Sequence, residues 1–96
     1  MTEKYILHPL AACEEVGGRY FLIACGPARD SLPYLREINE AGFFFWKLME
    51  EGCDTDAMLE KALAVYEAPR NVLKEGLSAF LDDLTSRGYV IKKETL

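Results

Sequence analysis

Sixteen Asp and Glu residues in a chain of 96 invite a search for paired catalytic carboxylates. The adjacent pairs are Glu14-Glu15, Glu50-Glu51 and Asp82-Asp83. Neighbours in sequence point in different directions on a strand or a helix, so each pair reads as solvated charge. His8 stands before Pro9 with no Ser or Cys at a catalytic spacing, which suits a surface or hairpin-edge residue. Cys13, Cys25 and Cys53 are widely spaced and odd in number. They form no C-x-x-C pair, and His8 alone could complete a nitrogen–sulfur metal site. Reduced thiols packed as small hydrophobes are the expected state. A Cys13–Cys25 cross-strand disulfide is the alternative, and a cytoplasmic location argues against it. Gly17-Gly18 lacks the G-x-G-x-x-G pattern and a following helix, so it reads as a turn and not a phosphate cradle. Nothing in these patterns supports an enzyme. The core of so small a chain is not expected to hold a cofactor pocket, which takes roughly several hundred Å³ of enclosed space.

Composition narrows the partners. Half of the residues are apolar, enough for a real core, and the length suits one domain over residues 1–96. The net charge is −5 and the isoelectric point about 4.8, which argues against nucleic acid as the main partner. No apolar run reaches ~18 residues, so no membrane span is expected. The short Tyr5-Ile6-Leu7 run is too small for a signal-peptide core, which leaves the cytoplasm as the expected compartment. There is no internal repeat and no low-complexity segment.

The first half of the chain reads as strands. Leu10–Val16 and Arg19–Cys25 flank Gly17-Gly18, the type of two-residue link that a tight hairpin requires. Pairing Val16 with Arg19 places Leu10, Ala12, Phe21 and Ile23 on one face, and Ala11, Cys13, Tyr20, Leu22 and Ala24 on the other. Both faces are apolar enough to be the core side. The breakers in Gly26–Pro33 mark a loop, and Tyr34–Ile38 is a third strand.

The second half reads as helices. Asn39 is an N-cap, Glu40 suits the first turn, and Gly52 ends the helix. Ala41, Phe45, Leu48 and Met49 form its apolar stripe, flanked by Phe44 and Trp46. Phe43 falls on the polar side, among Glu40, Lys47 and Glu50. A second helix begins at Asp54 or Thr55, with Met58, Leu59, Ala62, Leu63 and Tyr66 on one stripe. The third opens at Pro69 and ends before Gly88, with Leu73, Leu77, Phe80 and Leu84 inward and Leu81 beside them. Tyr89-Val-Ile91 leaves as a short apolar tail. Strands followed by helices in blocks define an α+β class, a three-stranded antiparallel sheet followed by three helices.

Certain residues match a known pattern in order. They are Tyr5-x-x-x-Pro9, Glu15-Val-Gly-Gly-Arg-Tyr-x-Leu22, Ile38-Asn39-Glu40 and Trp46-x-Leu48. The match continues through Gly52-x-x-Thr55, Leu59, Tyr66, Phe80-Leu81-x-x-Leu84 and Gly88-Tyr-Val90. The sequence resembles the coenzyme PQQ synthesis protein D family, also called the RiPP recognition element. The resemblance implies a winged-helix-like fold that binds the leader segment of a ribosomally made precursor peptide. It also implies presentation of that leader to a modifying enzyme, often a radical SAM protein, with no catalytic residue, cofactor or metal of its own. In the family the leader lies as an added strand against the third strand, in the groove between that strand and the third helix. That implies a peptide-binding site of Tyr34, Leu35, Arg36, Glu37 and Ile38 on the strand, facing Val72, Gly76, Ala79, Phe80 and Asp83 on the helix. Strand addition suits an exposed sheet edge, and the small Gly76 and Ala79 permit close approach of a peptide backbone.

Two departures stand out. Arg36 occupies a position where an aliphatic residue is expected, so either the strand turns there or Arg36 reaches an acidic group. After Asn39-Glu40, Ala41-Gly42 and three phenylalanines make an unusually aromatic first helix. Phe43 is then either an exposed ring or part of an enzyme-docking surface. Two other function classes remain open at this stage. One is a winged-helix DNA binder, against which stands the charge-mixed outer side of the third helix (Lys74, Glu75, Ser78, Asp82, Thr85). The other is a structural subunit that docks a radical SAM enzyme. The purified protein is expected to carry no stoichiometric zinc or iron, which elemental analysis checks.

Overall fold

In the computed structural model, which describes residues 3–93, the chain runs from β1 (Lys4–Leu7) through β2 (Ala11–Val16) and β3 (Arg19–Ala24). A 3-10 turn (Gly26–Asp30) leads to β4 (Leu35–Ile38). The helices α1 (Glu40–Glu50), α2 (Thr55–Val65) and α3 (Arg70–Arg87) follow, and β5 (Val90–Lys93) is the last element. Gly17 and Gly18 both take positive φ, 60° and 81°, which the tight turn requires. Val16 then lies opposite Arg19, as the spacing predicts, and Ala11 opposite Ala24. β4 adds antiparallel to β3 with Tyr20 opposite Ile38 and Ile23 opposite Leu35, giving the order β2-β3-β4. The strand is one residue shorter than the expected Tyr34–Ile38, although the Tyr34 carbonyl still accepts the Ala24 N–H at 3.0 Å.

Packing decides which sheet face is the core. Cys13, Leu22 and Ala24 are buried, whereas Phe21 and Ile23 on the opposite face are only half-buried. Against the core face lie the helices, with Phe45, Trp46, Leu48 and Met49 of α1, Met58, Leu59 and Ala62 of α2, and Leu77, Leu81 and Leu84 of α3 all buried. Asn39 caps α1 by accepting the Gly42 N–H at 2.7 Å, and Asp54 caps α2 by accepting that of Ala57 at 2.8 Å. Pro69 is the cap of α3, not its first helical residue, and Gly88 closes the helix at φ 90°.

Three sequence expectations need correction. Phe43 is not an exposed ring: it is half-buried and meets Tyr20 of β3 with ring centroids 4.6 Å apart. The helical wheel places it on the polar side, but Tyr20 of β3 packs against that side. Tyr89-Val-Ile91 is not a loose tail, because β5 pairs antiparallel with β1, Leu7 opposite Val90 and Ile6 opposite Ile91. Tyr89 and Val90 are consequently buried, and nothing local in so short an apolar run names a partner at the other end of the chain. The packed-thiol expectation holds for Cys13, whose thiol burial pushes up to about 11, but Cys25 is exposed where β3 gives way to the loop, and Cys53 is half-buried. All three cysteines are free.

A charged clasp joins the sheet to α3. Arg36 does not mark a turn; it lies opposite Leu22, so its side chain projects from the core-side face of the sheet. There its Nη2 donates to Asp83 Oδ2, while Arg87 Nε donates to the other oxygen of the same carboxylate at 2.8 Å. The Arg36 guanidinium also lies 5.7 Å from the centre of the Tyr89 ring. The hydrogen bond from Arg36, and after it that from Arg87, holds the Asp83 carboxyl below its ordinary value of 3.8.

Two outcomes follow from this packing. Trp46 is fully buried, so Trp46→Ala should cost about 3–5 kcal/mol in denaturant unfolding, a large share of the stability of a domain this size. Because the folded pKa of Asp83 is depressed, its contribution is complete above the unfolded value and is lost as pH falls through the folded one. The stability gap between the wild type and Asp83→Asn should therefore be full above pH 3.8 and close as the solution is acidified further, which denaturant midpoints across pH would report.

Candidate functional site

β4 pairs with β3 alone, so among the described residues its other edge has no strand beside it. Since the Ala24 N–H bonds the Tyr34 carbonyl, alternation turns the peptide groups of Tyr34, Arg36 and Ile38 toward β3. The N–H and C=O groups of Leu35 and Glu37 are left facing the open edge. Their side chains lie on the outer face of the sheet, where Glu37 takes a bidentate pair from Arg19, Nε at 2.9 Å and Nη2 at 2.6 Å. Tyr34 is exposed, with the Arg29 guanidinium 4.2 Å above its ring. Of the five strand residues expected at the site, Arg36 and Ile38 are the half-buried ones that project to the helix side.

The helix residues of the expected site are gathered more tightly. Val72, Gly76, Ala79, Phe80 and Asp83 all line one cleft of about 360 Å³ between α3 and the start of α1. Five further residues complete it: Asn39, Ala41, Gly42, Phe45 and Leu73. This is an open cleft at the surface and not an enclosed cavity in the core, and small residues are the reason for it. A Cβ at Gly76 would meet nothing within 4 Å, so that turn of α3 leaves open space. At Gly42 a Cβ would come within 3.0 Å of Phe80 Cε1 and 3.1 Å of the capping Asn39 Oδ1. Glycine there lets the first turn of α1 sit close against the Phe80 ring while keeping its cap.

The wall of the cleft is mostly apolar, with Asp83 and its two arginines at one end. Sequence reading missed the α1 side of the cleft. The available signal was Gly42 in the first turn, three residues after the Asn39 cap, a glycine that helix propensity alone disfavours. A second cleft, of about 320 Å³, lies between β1, α2 and α3. Its rim is polar, with Thr55, Asp56, Lys74 and Ser78, and hydrogen bonds between Glu3 and Thr55 tie the chain across it. None of Tyr34, Leu35, Arg36, Glu37 and Ile38 lines the cleft beside α1, which reaches the strand through Asn39, the residue after β4, and through Asp83, the partner of Arg36; with its apolar wall it is the better candidate for an extended peptide. Among the described residues no three His, Cys, Asp or Glu side chains converge as a metal site. Among the described residues no helix is long and apolar enough to cross a membrane.

Comparison with known proteins bears on the family and the fold. The profile for coenzyme PQQ synthesis protein D (PqqD) matches residues 34–90, from the start of β4 to the start of β5. Among solved structures, TbiB1 in complex with the TbiA(beta) leader peptide superposes with a TM-score of 0.75 at 16% identity, covering 94% of this chain and 99% of that one. At that identity the likeness establishes the fold. No curated protein matches the sequence. With more than half of the chain inside the profile, and the α+β fold described above, the protein belongs to the coenzyme PQQ synthesis protein D family.

Proposed function

We propose that the whole chain acts as one peptide-recognition domain that binds the leader of a ribosomally synthesised precursor and presents it to a modifying enzyme. The leader would add as a strand along the open edge of β4, using the peptide groups of Leu35 and Glu37. One set of its alternate side chains would enter the cleft lined by Val72, Gly76, Ala79 and Phe80. The observation that carries this reading is the free β4 edge beside an apolar, glycine-opened cleft. Such an edge supplies main-chain hydrogen bonds, and the cleft supplies selectivity. Membership of the PqqD family supports it, as does the leader peptide held by TbiB1. On this reading the protein is a recognition partner and not a catalyst, works in the cytoplasm, and serves an enzyme such as a radical SAM protein.

The test is titration of the cognate leader into isotope-labelled protein, with shifts expected along β4 and at Gly76, Ala79 and Phe80. Gly76→Phe should fill the cleft and weaken binding by more than tenfold, roughly 1.4 kcal/mol or more. The fold should survive, because a side chain at Gly76 starts in open space and removing a glycine favours the helix. Leu35→Pro removes a donor at the open edge only, and should weaken binding by about 0.5–1.5 kcal/mol with β3–β4 pairing intact. Arg36→Pro, one residue on, should instead disrupt that pairing. Shifts confined to the outer side of α1 would sink the groove.

A further inference from the structure

We propose that the outward face of the β1–β5 ribbon is a second docking surface, for a protein that presents an acidic amphipathic segment. The register of the ribbon puts Lys4 directly opposite Lys93 and Ile6 directly opposite Ile91, and all four share the face turned away from the core. Ile6 is 52% exposed and Ile91 67%. On the other face of the ribbon, Lys92 pairs with Glu3 at 3.0 Å. Among the described residues, Lys4 and Lys93 have no ion-pair partner.

Like charges placed directly opposite each other across two strands destabilise the pair. In a chain of net charge −5, with carboxylates in excess, this ribbon collects lysines where a glutamate would serve its own stability better. Two aliphatic side chains between two cations match a partner surface that alternates carboxylates with aliphatic groups. A phosphate backbone would satisfy the lysines but leave the isoleucines wet, which favours protein over nucleic acid. A second copy docked face to face would set lysine against lysine. None of Lys4, Ile6, Ile91 and Lys93 lines the α1–α3 cleft, so the two surfaces can be occupied independently.

The experiment titrates the full isotope-labelled chain with a synthetic amphipathic helix bearing Glu on its polar face and Leu on its apolar face. The same peptide with Lys for Glu and a mixed-sequence DNA duplex serve as comparisons. Saturable shifts centred on Lys4, Ile6, Ile91 and Lys93, with the Glu peptide alone, are expected. Lys93→Glu should weaken that binding by about tenfold or more while raising the thermal midpoint, because it creates a cross-strand ion pair with Lys4. Ile6→Thr keeps strand propensity and should weaken binding without unfolding, whereas Gly76→Phe should leave it unchanged. Absence of ribbon shifts, shifts centred on the cleft, or an equal response to the Lys peptide would overturn the proposal. Duplex binding at the ribbon would also overturn it, by giving the face to nucleic acid.

Discussion

One ion pair bridges the sheet and α3. Arg36 projects from the core-side face of β4, where a guanidinium needs a carboxylate, and Asp83 supplies one across the gap. Neither side chain is fully sealed: they are 27% and 33% exposed. Such a pair contributes little net stability, since desolvation offsets most of the Coulomb attraction. Its consequence is positional. With an aliphatic residue at Arg36, β4 could close directly onto α3. A long charged side chain reaching a charged partner instead ties the two elements together across the gap, while the strand edge is open because, among the described residues, β4 pairs with β3 alone.

The rest of the groove follows from where bulk is missing. Gly42 admits the start of α1 close to Phe80, while Gly76 leaves space on the adjacent turn of α3. Each glycine costs its helix up to about 1 kcal/mol relative to alanine, and both costs fall on the same cleft. Helix stability is thus spent where a ligand backbone would come near. The aromatic residues beside them are the counterweight: Phe45 and Trp46 are buried, and Phe43 meets Tyr20 on β3.

Strand addition, as proposed above, asks little of side-chain chemistry. Main-chain hydrogen bonds at a strand edge are the same for any sequence, so selectivity has to come from the pocket wall and the charge at its end. Here that end carries two guanidiniums around one carboxylate, a local cationic excess in an acidic protein. The lysine ribbon at the far end of the chain is a second local reversal of the net charge.

Local signals were strong enough to be read directly. The Gly17-Gly18 hairpin and its register, the Asn39 cap and the Gly52 and Gly88 stops are set by residues a few positions apart, and they stand where expected, whereas the inward stripe of α3 runs through Leu77, Leu81 and Leu84 and leaves Leu73 and Phe80 half-buried. Val72, Gly76, Ala79, Phe80 and Asp83, which the family resemblance implied, lie along one side of α3 and line one cleft. The sequence left undecided every feature that joins distant segments. Which face of the hairpin is buried depended on where the helices return. The partner of Arg36 lay on α3, and Tyr89-Val-Ile91 became a strand because β1 was waiting beside it. Phe43 turned inward because the sheet reaches under α1. The physical reason is common to all four. Hydrogen-bond periodicity and capping act within a turn or a hairpin, whereas burial is a property of surfaces that meet only after the chain has folded.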